Sequence, residues 1–154
     1  MSKTPLSIGE MIVVTSIRLK TIANRFVFAP SGTTGAQFRI LRMLANEGPQ
    51  RPSDIMKYAG GTKSNVSQRI NALEDEGLVL RLPTQKGSDR RNVLVEITPK
   101  GKTLVAKLLG KFTKSSKALE GKFSTQEIQA QTDFLQKMNR IMDENEKTIE
   151  SYFE

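Results

Sequence analysis

The feature that most constrains this chain is a change of hydrophobic period. Apolar residues recur at helical spacing from Thr34 to Gly77, alternate from Leu78 to Ile97, and return to helical spacing after Thr98-Pro99. The first stretch breaks into three helices. Thr34-Gly-Ala-Gln37 has the form of a capping box, a hydroxyl N-cap with Gln three residues on. Behind it Phe38, Leu41, Leu44 and Ala45 form an apolar stripe, which Gly48-Pro49 ends. A short helix starts at Ser53, after Pro52, with Ile55, Met56 and Ala59 inward, and Gly60-Gly61 breaks it. Thr62 then caps a helix with Val66, Ile70 and Leu73 inward, running to Gly77. In the alternating stretch Leu78, Leu80 and Leu82 form one strand, and Val93, Val95 and Ile97 the other. Between them, Pro83 to Asn92 carries the turn signal Gly87-Ser88.

Further helices flank this unit. From Leu6 to about Phe28 apolar residues stand at Ile8, Ile12, Leu19, Ile22 and Phe26, and Pro30-Ser-Gly32 ends the run. Thr98-Pro99 opens a fifth helix with Leu104, Leu108 and Phe112 on one side. Ser124-Thr-Gln-Glu127 is a second capping box, opening a sixth with Ile128, Leu135, Met138 and Met142. The expected fold is mainly α with a small β-hairpin wing (α+β): a winged helix-turn-helix flanked by dimerisation helices. Three segments follow: 1–32, an N-terminal dimerisation helix; 33–100, the winged helix-turn-helix; and 101–154, C-terminal dimerisation helices. The flanking helices lack a core of their own, and only 37% of the chain is hydrophobic, which suits a core completed by a second subunit.

Composition narrows the chemistry. There is no Cys and no His, which excludes disulfides, thiol sensing, thiolate metal sites and imidazole catalysis. The carboxylates sit on helix ends and exposed faces without a pocket motif, so the chain is read as a non-enzyme with no cofactor and no metal. No apolar run reaches the length of a membrane span or a signal-peptide core, and a soluble cytoplasmic protein with no membrane partner is expected. Lys and Arg number 24 against 16 Asp and Glu, a formal net charge of +8 that attracts polyanions. The excess sits in the first three-quarters of the chain: residues 35–100 hold eleven basic and seven acidic groups, and 120–154 hold four and eight.

A duplex major groove admits one helix, and a helix-turn-helix presents its second. On the helix from about Thr62 to Glu76, the residues opposite Val66, Ile70 and Leu73 are Lys63, Ser64, Asn65, Ser67, Gln68 and Asn71, with Arg69 beside them as a phosphate contact. All can hydrogen-bond, and Asn and Gln can pair bidentately with adenine. Glu74-Asp75-Glu76 at the other end repel phosphate, so the N-terminal end is the one that enters. In the wing, about Pro83 to Asn92, Lys86, Arg90 and Arg91 supply cations suited to a narrow minor groove, and Asp89 can orient Arg91. Lys107, Lys111 and Lys114 share one face of the fifth helix and read as a solvated outer face.

From Thr34 to Gly101 the chain resembles the multiple antibiotic resistance regulator (MarR) family. The matching pieces are Thr34-x-x-Gln37-Phe-x-Ile-Leu41, Ser53-Asp-Ile55, Ser64-x-Val-Ser67, Leu73-Glu-x-x-Gly77-Leu-Val79, Asp89-Arg-Arg91 and Ile97-Thr-Pro-x-Gly101. The resemblance implies a homodimer formed by the first, fifth and sixth helices, with the recognition helix in the major groove and Arg91 in the minor groove, oriented by Asp89. The implied partner is a double-stranded DNA operator, and the implied function a transcription regulator, read as a repressor. One departure is Thr33, where such proteins usually carry Leu, which leaves the start of the second helix less well packed. Another is the lack of Cys and His, which removes the redox and metal signals used within the family and leaves open an apolar or aromatic small effector, or none. The competing reading is a winged-helix protein-interaction module without specific DNA binding; clustered wing arginines and a basic recognition-helix start argue against it.

Overall fold

The computed structural model describes residues 6–83 and 93–144 and divides into two compact units, Met1–Phe112 and Thr113–Glu154. The first unit begins with α1 (Ile8–Ala23), whose Ser7 cap and Glu10 form a reciprocal capping box. A π-helical turn over Asn24–Phe28 and a 3-10 turn over Ala29–Ser31 continue it. Gly32 ends the run at φ 67°, a left-handed position that Gly adopts without a Cβ penalty.

The next elements are α2 (Gly35–Glu47), α3 (Pro52–Ala59) and α4 (Lys63–Asp75), followed by β1 (Val79–Pro83) and β2 (Val93–Ile97). The capping box at Thr34 is present: its hydroxyl accepts from the Gln37 amide at 3.2 Å, and the Gln37 side chain accepts from the Thr34 amide at 2.9 Å. Pro52 is the first residue of α3, with its missing N–H where the helix needs none. The apolar stripe of α2 is wider than the sequence reading. Ile40 and Met43 are buried with Phe38, Leu41 and Leu44, whereas Ala45 is exposed. The reason is that α2 is central and packs against α3, α4 and β2. Thr33, expected to leave this helix start less well packed, is buried, with its hydroxyl 3.4 Å from the Gln37 side-chain oxygen.

The hairpin is antiparallel, with Val79 opposite Ile97, Arg81 opposite Val95 and Pro83 opposite Val93. This corrects the phase of the first strand by one residue. Val79 is buried with Val95 and Ile97, while Leu80 is exposed and shares its face with Glu96. Leu78 is buried, but it precedes the strand, in the turn leaving α4. In a run such as Leu-Val-Leu-Arg-Leu both phases are apolar at the start, and the pairing register decides between them. Gln50, between α2 and α3, adds a rung by exchanging two backbone hydrogen bonds with Val95 at 3.0 and 2.8 Å.

The second helical region opens with α5 (Pro99–Glu120). The Thr98 hydroxyl donates to the Gly77 carbonyl at 2.8 Å and accepts from the Gly101 amide at 3.1 Å, tying the start of α5 to the turn after α4. Gly101 packs so closely there that a Cβ would run into the Leu78 carbonyl oxygen and lie 2.7 Å from Ile97 Cγ1. One continuous core runs from Val27 to Leu108, joined by Leu104 and Phe112. In the second unit, α6 (Thr125–Glu144) starts from a capping box between Ser124 and Glu127. It buries no residue by itself; Phe134, Leu135, Ile141 and Met142 are exposed. Among the described residues no helix is long and apolar enough to cross a membrane.

Candidate nucleic-acid interface

Two aspects of its sequence position α4. The Thr62 hydroxyl accepts from the Asn65 amide at 3.3 Å and so fixes the first turn. Val66, Ile70 and Leu73, four and three residues apart, are all but inaccessible and lock the rotation of the helix against the core. That rotation leaves Lys63, Ser64, Asn65, Ser67, Gln68 and Asn71 exposed, as the spacing predicts, with Arg69 half-buried at the edge. No acid lies in the first turn, so Lys63 and the positive end of the helix dipole add their fields there. Asn65, Gln68 and Arg69 line one side of a shallow groove of about 520 Å³ whose other side is Thr34, Ala36 and Gln37 at the start of α2. Gly61, at φ 102°, leaves room for Arg69, whose Nη1 stands 3.6 Å from where a Cβ would be.

The acidic end of α4 is paired in part. Arg81 of β1 forms an ion pair with Glu74 and donates from Nη2 to Asn71 Oδ1 at 2.6 Å. Lys100 Nζ donates to the Glu76 carbonyl at 2.6 Å, near the negative end of the helix. Sequence reading missed Arg81, because its partners lie seven and ten residues away across the turn between α4 and β1; Glu74 in the Leu-Glu piece and Arg81 were the available signal. Lys86, Asp89, Arg90 and Arg91 lie outside the described residues, in the connection between β1 and β2. Lys107 and Lys114 are exposed; Lys111 is half-buried and donates to the Ser31 hydroxyl at 3.4 Å.

Apart from α4, the first unit holds an apolar cavity of about 550 Å³. Its wall includes Leu19, Ala23, Phe28, Phe38 and Phe112, with Lys20 and Arg39 among the lining residues. The three rings pack with centroids 5.4 to 5.7 Å apart.

A helix-turn-helix whose second helix leaves Lys63, Ser64, Asn65, Ser67 and Gln68 exposed, followed directly by an antiparallel hairpin, defines a winged-helix transcription regulator. Residues 33–93 match the MarR family. An uncharacterised HTH-type transcriptional regulator of Bacillus subtilis, YfiV, is 31% identical over 112 residues, covering 72% of this chain and 68% of that one. The chain belongs to the MarR family. A second Bacillus subtilis relative, the uncharacterised regulator YdgG, is 35% identical over 72 residues, so the match spans about half of either protein, 47% of each. Among solved structures, one similar to this chain is that of Bordetella bronchiseptica BpsR, whose DNA binding is regulated by 6-hydroxynicotinic acid. It is 26% identical, with a TM-score of 0.72 over 86% of this chain and 98% of that one.

Proposed function

We propose that the protein is a sequence-specific repressor that binds a pseudo-palindromic operator as a homodimer. The observation that carries this reading is the exposed face of α4, where Lys63, Ser64, Asn65, Ser67 and Gln68 stand free around a helix whose opposite side is locked in the core. These side chains enter the major groove, and Arg69 meets the flanking phosphate. The wing, Pro83 to Asn92, reaches the minor groove, where Lys86, Arg90 and Arg91 meet its negative potential and Asp89 orients Arg91. Segments 1–32 and 101–154 pair with a second copy, while 33–100 reads DNA. The reading as a repressor, acting in the cytoplasm, supposes an operator that overlaps a promoter, where a bound dimer excludes polymerase from the same DNA.

The cavity beneath α1 suits a small aromatic acid as effector. Phe28, Phe38 and Phe112 offer ring surfaces, and Lys20 and Arg39 a carboxylate partner. The regulation of BpsR by a pyridine carboxylic acid is consistent with that chemistry.

The test is selection of bound sequences from a random duplex library with the full chain. Two inverted half-sites with centres about 10 bp apart are expected. Recovery of unrelated sequences at equal frequency would leave a winged helix that does not read DNA.

A further inference from the structure

Arg81 sits at a junction that the DNA-binding reading does not use. It belongs to β1, the strand leading into the wing, and both of its guanidinium contacts are on α4: the Glu74 carboxylate and the Asn71 amide oxygen. A guanidinium carries only donors, so the Asn71 atom that meets it at 2.6 Å is the oxygen, and the amide orientation is fixed by chemistry. Bidentate pairing with adenine needs that same oxygen to accept from the base while the amide nitrogen donates. With its oxygen turned toward β1, Asn71 is not presented as Lys63, Ser64, Asn65, Ser67 and Gln68 are; among the described residues no side-chain hydrogen bond is seen for those five.

We propose that Arg81 is a positioning residue that clamps the recognition helix to the first wing strand, and that Asn71 belongs to this clamp rather than to the base-reading face. The inference rests on the DNA-binding reading above. Planar donors forked between two acceptors resist rotation of α4 against β1 in a way a single point charge does not. The clamp is half-exposed, so it adds little to the stability of the fold. Its effect is on geometry: the helix and the hairpin approach the duplex as one unit, and a loose joint lowers affinity for every sequence alike.

The experiment measures operator binding by the full chain carrying Arg81→Ala, Arg81→Lys, Asn71→Ala and the double alanine variant, on a panel of single-base operator mutants and over a range of salt. Arg81→Ala is expected to weaken binding about tenfold at every panel member, with the thermal midpoint nearly unchanged. Arg81→Lys should fail to restore it, because an ammonium does not hold the fork. Asn71→Ala should lose affinity with parental base preferences intact, and the double variant should bind about as well as the worse single one, since both break one clamp. Relaxed preference at one position in Asn71→Ala would place Asn71 on the reading face and overturn the proposal. So would additive losses. So would a salt slope reduced by about 2 per dimer in Arg81→Ala, which would make Arg81 a phosphate contact. A parent that selects no sequence would sink the DNA-binding reading and the clamp with it, whereas additive losses in a selective parent overturn the clamp alone.

Discussion

The body from α2 to β2 and the helix that precedes it use apolar residues in opposite ways. In α2, α3 and α4 most apolar side chains are covered within the subunit, Tyr58 being the large exception, and Ile40, Leu41, Ile55 and Leu73 are fully buried. In α1 none is buried: Ile8, Met11, Val13, Val14, Ile17, Leu19 and Ile22 are 43–57% exposed. The difference is not in any lack of apolar residues, since α1 is a long run of Ile, Val, Leu and Met. It is in distribution. The body helices confine their apolar residues to faces that meet one another, while α1 carries them around most of its circumference, beyond what one small core can cover. A side chain of this size gains about 1.5–3 kcal/mol when fully buried, so covering the surface of α1 is strongly favourable, and the proposed homodimer is one way to cover it.

That contrast is easiest to break inside the body. Ile70→Ala removes a side chain only 1% exposed from the contact of α4 with the core and should cost about 2–5 kcal/mol in denaturant unfolding. A loss below about 1 kcal/mol would mean that α4 is not locked as described. Gly101→Ala comes next, at about 1–3 kcal/mol, because its methyl group would press on the Leu78 carbonyl and Ile97. The same change at the exposed Gly110, with open space around it, should be neutral or slightly stabilising, and the pair makes the comparison internal to α5.

In α1 the outcome should separate folding from assembly. Ile17→Glu replaces a side chain 55% exposed in the subunit and should leave the unfolding of dilute protein within about 0.5 kcal/mol of the parent. The same variant should shift sedimentation at micromolar protein toward the 17.2 kDa species. An unchanged dimer would take α1 out of the interface. The smallest effect concerns the capping boxes. The Ser7 backbone N–H, then its hydroxyl, holds the Glu10 carboxyl below its ordinary value, and Ser124 does the same for Glu127. Both carboxyls are lowered in the folded helix, so their contribution is present above the ordinary carboxylate pKa and is lost as pH falls through the lowered value. Helix content followed by circular dichroism should drop slightly over that acid range, and a Glu10→Gln, Glu127→Gln protein should lack that step.

Much of this arrangement was legible in the sequence, for reasons that differ by element. Thr34, Thr62 and Ser124 announce helix starts because a cap is a local contact, three residues long, and each is seen as expected. The inward set Val66, Ile70 and Leu73 was equally plain, since one apolar stripe on a polar helix has a single way to pack. The strand phase was not. Leu78 to Leu82 offers apolar residues in both phases, and only pairing with β2 chooses Val79. The second apolar flank of α2 depends on β2 as well as on the neighbouring helices, and the Arg81 clamp depends on a turn that brings β1 back along α4. Long-range geometry of this kind leaves only a weak trace in a linear pattern. For the exposed face of α4, the residue types and their spacing were readable and their exposure agrees, while the contact of Asn71 with Arg81 required the fold.

The central claim is that the exposed face of α4 reads base edges. Its most direct test is the binding of Gln68→Ala, with folding checked by its thermal midpoint, to a panel of single-base mutants of the selected operator. The account predicts a loss of about 1–3 kcal/mol on the parental site and relaxed preference at one position, repeated symmetrically in both half-sites. Parental preference at every position of the panel, with affinity unchanged, would contradict it.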